Sequence, residues 1–550
     1  MDPASLALGV VGLTGLFDAC LKLYEHVSHA RRLTQDSGRH GLFLELEKSR
    51  FELVREELLR GLRDPPEAVP VVQGGAFPVR NNDVAPTSVV VWKHDHLSRL
   101  LETVQGVLTE AQGIVVKYEQ TEPKHKFKKL LPSKRHTKHL SWIADDRNRL
   151  KELIDSLRQL NNYLEQVLPA ASRQRLHLAF EATVILEADV NQLRDLQTHA
   201  STIGYQDLQQ GATVRVAKLT LESEMSMAYK GVQDFRIRNH EITFRTMISR
   251  SSGVYSTAIY SGSPDRKSIS RTVFLERRQL FTTTSSVATA EQRLNHLASV
   301  LGSISASDNN SCSSFGIPRC LGWIAPDSSE PDLHFIELIY EYPGRQSESP
   351  VSLHTLLQTL SPKQRPSLGT RFHLAVCLAR YYAKFLSVGY FHKGMHSHNI
   401  LFFGDISRPY IVGCAEARAE ASPEFSSPLS DTITDRELYL PWETVLTMGE
   451  RDNSKRARWN AAADVYGLGV MLAEIGHWTC ASAALEAASL YDFHQTLLPD
   501  MVAGLGFQMG DTFRKVVELC LSTDTSGSTE IDVWRQYSSS ILEPLELCRV

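Results

Sequence analysis

The stretch Phe391-His-Lys-Gly-Met-His-Ser-His-Asn-Ile-Leu-Phe402 decides how the second half of this 550-residue chain is read. It follows a helix-periodic run, Arg371–Leu386, whose apolar face carries Leu374, Ala375, Leu378, Ala379, Tyr382 and Leu386. It ends in three apolar residues that suit a short buried strand. Within it His392 and Asn399 lie seven residues apart, and Gly394 stands two after the histidine. A glycine has no side chain with which to accept a proton, so a general base is missing at that point.

The stretch resembles the protein-kinase catalytic loop, H-R-D-L-x-x-x-N. His392 falls on the motif histidine, Lys393 on the arginine, Gly394 on the catalytic aspartate and Asn399 on the metal-binding asparagine. The three histidines 392, 396 and 398 are therefore read as loop residues and not as metal ligands. Downstream, Tyr410-Ile-Val-Gly-Cys-Ala-Glu-Ala-Arg418 is similar to x-I-x-D-F-G-x-A-R, with Gly413 replacing the metal-binding aspartate and Cys414 the phenylalanine. Leu440-Pro-Trp-Glu443 resembles the A-P-E turn. Asp464-Val-Tyr-Gly-Leu-Gly-Val-Met-Leu-Ala-Glu-Ile475 resembles the central helix of the large lobe, and Thr512–Leu521 its penultimate helix. The arginine that pairs with the A-P-E glutamate is absent from Ser522–Ile531.

Upstream the match is poorer. Ser251-Ser-Gly-Val-Tyr-Ser-Thr-Ala-Ile-Tyr260 offers only Gly253 where a glycine-rich turn should close over phosphates. Thr272-Val-Phe-Leu-Glu-Arg-Arg278 sets Glu276 where V-A-I-K has its lysine, and a carboxylate there repels a triphosphate. Arg277 or Arg278 substitutes if the register slips. Ala290–Leu301 suits the helix behind that strand, with Glu291 its only carboxylate and Glu276 giving it no cation to pair with. Phe335–Pro343 suits the last strand and hinge, and Ser352 opens the large lobe.

The resemblance implies an α+β bilobal protein-kinase-like fold over 213–550, with a small lobe at about 213–345 and a large lobe at about 346–550. It implies a pseudokinase: no catalytic residue, no metal site and no required cofactor. If ATP still binds, Asn399 and Gly253 are the positions that would touch it.

The front of the chain reads as an all-α helical bundle over 1–200, joined by a linker at 201–212. Ala4–Phe17 carries no charge. At ~1.5 Å per residue such a helix is roughly 21 Å long, short of the ~30 Å hydrocarbon core of a bilayer. Gly9, Gly12 and Gly15 recur every three residues and form a thin stripe that another helix can approach closely. Leu6, Leu8, Gly9, Val10, Val11, Gly12, Leu13, Gly15, Leu16 and Phe17 are thus candidates for oligomer or membrane contact. A buried first helix of a bundle and a helix that inserts when released both satisfy this composition. Further helical periodicity runs through Leu42–Arg63, Leu97–Val115, Leu140–Leu168 and, less regularly, Ser172 to about Leu196. The Pro/Gly-dotted stretch Asp64–Thr87 reads as a long loop. Between the second and third of these runs lie Lys124, Lys126, Lys128, Lys129, Lys134, Arg135 and Lys138. They form either a solvated connector or a surface attracted to anionic headgroups.

Leu6-Ala-Leu-Gly-Val-Val-Gly-Leu-Thr-Gly-Leu-Phe-Asp-Ala-Cys20, followed by Tyr24-Glu-His-Val27, is similar to the start of the fungal HeLo (prion-inhibition and propagation) domain. That resemblance implies an all-helical module, self-association, and fungal incompatibility or programmed cell death, in some members by membrane permeabilisation through the first helix.

Composition sets limits on partners. The net charge of −4 and the single aromatic in the basic run, Phe127, argue against nucleic acid. Eight isolated cysteines without a C-x-x-C pair suit reduced thiols rather than a disulfide frame or a zinc site. The acidic start Met-Asp-Pro lacks the basic region of a secretory signal, so the expected location is cytoplasmic, with relocation to membrane on activation. Three functions stay open: an effector whose bundle is controlled by a degenerate kinase-like domain and answers an unknown upstream receptor, an unorthodox kinase acting through His392 or Asp405, and a non-enzymatic scaffold.

Overall fold

A computed structural model describes residues 3–29, 38–63, 86–119, 135–224, 234–244, 255–261, 270–279, 287–304, 315–325, 335–343, 350–414, 435–448, 460–484 and 489–548. The chain divides into two compact units, Met1–Phe180 and Glu181–Val550.

The first unit is helical. It comprises α1 (Pro3–His29), α2 (Gly38–Arg63), α3 (Pro86–Glu119), α4 (Arg135–Gln166) and the first part of α5 (Ala170–Leu186). Helix α1 buries Leu13, Phe17, Cys20, Tyr24 and Val27, spaced three or four apart on one face, against α2 and α3. Phe17 and Tyr24 both meet the Phe51 ring, at 5.3 and 5.5 Å between centroids. Val11 lies on the other side, 69% exposed. A Cβ on Gly12 or Gly15 would meet nothing within 4 Å, so these glycines face open space. Among the described residues no helix is long and apolar enough to cross a membrane. The side chains of Leu6, Leu8 and Val10 fall outside the described ones, as do those of Arg135 and Lys138 and the surroundings of Gly9, and Lys124 to Lys134 lie outside the described residues altogether.

A polar seam runs between α2 and α4. The fully buried Glu47 carboxylate accepts from Arg158 Nε at 3.2 Å and from Asn161 Nδ2 at 2.9 Å. Beside it the buried Arg50 donates to Glu165 and to Asn162 Oδ1.

Two expectations for this region are corrected. The fourth helical run is two helices, α5 and α6 (Val190–His199). Asp189 Oδ1 caps α6 by accepting from the amides of Asn191 and Gln192, and the Gln192 side chain accepts from the Asp189 amide. This reciprocal cap starts a new helix and explains the broken periodicity. The supposed linker 201–212 is also structured: a 3₁₀ turn at Ala200–Ile203 leads into α7 (Gln206–Glu224). Polar and glycine-bearing, this segment lacks a clear apolar stripe, and tertiary packing makes it helical.

In the second unit a five-stranded antiparallel sheet has the order β1-β2-β3-β5-β4, built from β1 (Ile242–Phe244), β2 (Tyr255–Tyr260), β3 (Arg271–Gln279), β4 (Cys320–Ile324) and β5 (Phe335–Glu341). Ile242, Ala258, Val273, Leu275, Ile324 and Ile339 form its core with Ile237. Helix α8 (Val287–Ile304) connects β3 to β4 and packs on β4. A second, small sheet pairs β6 (Val351–Ser352), β7 (Ile400–Phe402) and β8 (Tyr410–Ile411). Around it are α9 (Leu353–Thr359), α10 (Leu368–Ser387), α11 (Trp442–Met448), α12 (Ala461–His477), α13 (Leu490–Asp492), α14 (Leu498–Met509), α15 (Asp511–Ser522), α16 (Glu530–Tyr537) and α17 (Glu543–Leu547). Helix α12 is apolar on nearly every side and buried from Ala463 to Gly476, which makes it the centre of this helical layer.

Candidate functional site

The loop His392–Asn399 hangs from α12. Asp464, fully buried in the first turn of that helix, accepts the His392 amide at 2.7 Å and the Lys393 amide at 2.9 Å. These two bonds hold Lys393 at φ +59°, a conformation that costs a non-glycine residue about 1–3 kcal/mol and needs such support. His392 is buried, with Nε2 3.0 Å from the Val412 carbonyl. The motif histidine therefore ties the loop to the segment after β8.

Asn399 is bound into its own loop. Its Nδ2 donates to the Gly394 carbonyl at 2.9 Å and lies 3.0 Å from His396 Nε2, while Tyr255 of β2 donates to its Oδ1 at 3.3 Å. At Gly413, φ is +91°, and a Cβ placed there would stand 2.3 Å from Asn399 Nδ2 and 2.5 Å from its Cγ. The Asn399 amide occupies the volume that any side chain at 413 would need. At Gly394 a Cβ would sit 3.0 Å from the same nitrogen. The loop thus brings His392, Gly394, Asn399 and Gly413 together, while Gly253 lies outside the described residues.

Glu276 is fully buried in β3, and its Oε2 accepts the Gly413 amide at 3.3 Å. The strand residue read as a repelling charge acts as a backbone acceptor that joins the five-stranded sheet to the segment after β8. Arg277 turns to the neighbouring strand, donating to the buried Glu337 through Nε at 2.9 Å and Nη2 at 2.6 Å. Glu291, to which Glu276 offers no cation, pairs at the surface with Arg236 at 2.7 Å.

Aromatic rings close the space between the two sheets. Phe274 of β3 stacks on Tyr340 of β5 at 4.9 Å and 11°, both fully buried. Phe403, just after β7, contacts Phe274 at 5.1 Å, Tyr342 at 4.9 Å and Tyr410 at 5.3 Å. Burial pushes the Tyr340 hydroxyl well above the usual phenol range, with the charge of Glu276 adding to the effect.

Below the loop lies a polar network that the sequence reading missed. Glu474, fully buried in α12, accepts from Tyr439 Oη at 2.8 Å and from the Ala481 amide at 2.8 Å. Ser397 Oγ lies 2.6 Å from the same tyrosine oxygen. Burial lifts the Glu474 carboxyl to about 7, against these hydrogen bonds. His354 stacks on His398 at 3.6 Å and meets Cys480 Sγ at 3.2 Å. The one legible signal was an acid inside the apolar run Asp464–Ile475.

Asp405, the alternative base, is exposed and engaged in a turn, accepting from the Ser407 amide at 2.9 Å and the Ser407 hydroxyl at 2.7 Å. Those bonds hold its carboxyl below the usual range. Among the described residues no group of three or more His, Cys, Asp and Glu is arranged to hold a metal ion. Chemically, the arrangement anchors a loop with buried carboxylates whose oxygens face backbone amides and hydroxyls.

Comparison with known proteins bears on the first unit and on the start of the second. No curated protein matches the chain. A family match described as prion-inhibition and propagation spans residues 5–196, from within α1 to within α6, so the N-terminal part of this protein is a HeLo domain.

Proposed function

We propose that this protein is a signal-responsive effector of the HeLo type, acting in fungal incompatibility or regulated cell death. The helical bundle is the output, by self-association or action on membrane. A kinase-like, catalytically inert C-terminal domain is the control. The HeLo match supports the first half of this reading. The second half is supported by the succession of five-stranded antiparallel sheet, crossover helix α8, small sheet and buried helix α12, with the loop hung from Asp464.

The observation that carries the reading is Gly413. Phosphoryl transfer needs a carboxylate to anchor the ion that neutralises the developing charge. Here that position lacks a side chain, and Asn399 stands where one would go. The contacts of Phe274 with Tyr340 and Phe403 fill the side of β3 that a kinase-like reading would give to a nucleotide base. These features favour a domain that does not turn over a magnesium nucleotide.

The test is dye release from vesicles containing anionic lipid, with the full chain and with residues 1–200, each compared with Val11→Glu. Val11 is exposed, so the substitution leaves the bundle folded, as circular dichroism will verify. Leakage that Val11→Glu abolishes is expected. Absence of leakage under activating and resting conditions alike, together with a stably retained protein partner, would favour the scaffold instead.

A further inference from the structure

The family match ends at residue 196, yet its last residues belong by packing to the second unit, which begins at Glu181. The boundary falls inside the continuous helix α5. The residues that follow it converge on one short segment, Lys384–Phe391, the end of α10 and the turn into the loop at His392. Glu181, 7% exposed, forms an ion pair with Lys384, 1% exposed, whose Nζ also lies 5.5 Å from the Phe315 ring centroid. Gly211 of α7 lets the backbone approach Ile185 and Val388: a Cβ there would stand 2.2 Å from Ile185 Cδ1 and 3.4 Å from Val388 Cγ1. One turn on, Arg215 Nη1 donates to Glu530 Oε1 at 3.0 Å and Lys218 Nζ to the same oxygen at 2.6 Å. Lys218 is buried and lies 5.6 Å from the Phe391 ring centroid. Gly389, at φ +64°, sits under this cluster, where a Cβ would be 2.3 Å from Arg215 Nη1 and 2.6 Å from Glu530 Oε1. Helix α16, which Glu530 opens, grips α10 from another side: Trp534 Nε1 donates to the Ala383 carbonyl at 3.1 Å and Tyr537 Oη to the Ala379 carbonyl at 2.9 Å.

We propose that residues 181–218 form a lever seated on the turn Lys384–Phe391, with Glu530 as its pin, so that the conformation of the His392–Asn399 loop and the anchorage of α5 change together. The physical ground is the burial of charge. Two cations share one carboxylate in a largely desolvated setting, and a buried charge stripped of its partner is strongly disfavoured. The segment therefore has two acceptable arrangements, seated with its charges paired or lifted with its charges in water, and few between. Such a contact switches rather than drifts. Strain at the loop reaches it through Gly389 and Phe391, which touch the cluster itself. All of these contacts lie inside the second unit, so the lever is independent of the output assigned to the bundle.

The experiment is hydrogen–deuterium exchange by mass spectrometry on the full chain, comparing the native protein with Glu530→Gln and Lys218→Met. In Glu530→Gln, exchange is expected to rise roughly 100-fold in 181–224 and in 384–394 together, with β1–β5 unchanged. Lys218→Met, which leaves Arg215 paired with Glu530, should raise exchange in the same two segments by a smaller factor. A rise confined to α16, or in only one of the two segments, overturns the proposal. If Glu530→Gln loosens the whole unit, Lys218→Met decides: a paired local rise supports the lever, and no change or a uniform rise refutes it.

Discussion

Replacing Gly413 with aspartate is the most direct way to ask whether the loop lost a carboxylate or was rebuilt around its loss. The backbone at 413 has φ +91°, a region that costs a non-glycine residue about 1–3 kcal/mol. The new Cβ would lie 2.3 Å from Asn399 Nδ2, so the amide must leave the Gly394 carbonyl, and inserting atoms into a filled core costs another ~1–3 kcal/mol. The sum, about 2–6 kcal/mol, corresponds to a fall in melting temperature of roughly 3–8 °C for a unit of this size. Gly404→Asp serves as control. It has φ +86° and nothing within 4 Å of its Cβ, so it carries the backbone cost alone. Adding Asn399→Ala to Gly413→Asp should recover the steric part, and a double-mutant cycle will isolate it. Differential scanning fluorimetry, run with and without ATP and magnesium, reads all of these variants. Gly413→Asp melting with the native protein, or gaining stability from magnesium ATP, would refute the argument that Asn399 has taken that space.

Three further outcomes are expected. Phe17→Ala should destabilise the bundle by about 3–5 kcal/mol, because its buried ring packs on Phe51, whereas Val11→Glu should change stability by less than ~0.5 kcal/mol; urea titration of residues 1–200 measures both. Glu474 has a carboxyl lifted by burial to about 7 in the folded protein, so the folded state holds its proton more tightly than the unfolded chain. Its contribution is present below pH ~4.5 and is lost as pH rises to ~7, on the order of 3 kcal/mol. Glu474→Gln, a mimic of the protonated form, should gain in melting temperature over the native protein between pH 5 and pH 8. Phe274→Ala removes a buried ring that meets both Tyr340 and Phe403; it should lower the melting temperature of the second unit without creating magnesium-dependent ATP binding, as isothermal calorimetry will check.

Much of this architecture was legible where the residues obey strong local rules. The uncharged run Ala4–Phe17 marks a first helix, although Leu13 and Phe17, candidates for membrane or oligomer contact, turn out to be buried, and the run Asp464–Ile475 marks a helix that is enclosed on nearly all sides. Other elements escaped for physical reasons. The split between α5 and α6 rests on a side-chain cap at Asp189, three residues of local chemistry inside an otherwise helical composition. The helix α7 looks like a linker because its stability comes from distant partners, Ile185, Val388 and Glu530, that no local pattern announces. At the site, the glycines at 394 and 413 could be read directly, but the role of Glu276 could not. Its sign as a charge was plain from sequence, whereas its use as an acceptor for the Gly413 amide depends on a strand register and a loop separated by more than a hundred residues.

The seam of Glu47, Arg50, Arg158, Asn161 and Glu165 has a consequence for the bundle's life cycle. A four-helix interior filled with leucine tolerates sliding and mispairing but is hard to pull apart in water. Ions in the same place demand one alignment, since each must find its partner, and they contribute little net cohesion once desolvation is counted. Replacing the seam with well-packed aliphatic residues should therefore give a sturdier but less exactly aligned module: in this molecule the interior is written for one precise arrangement that adds little to cohesion.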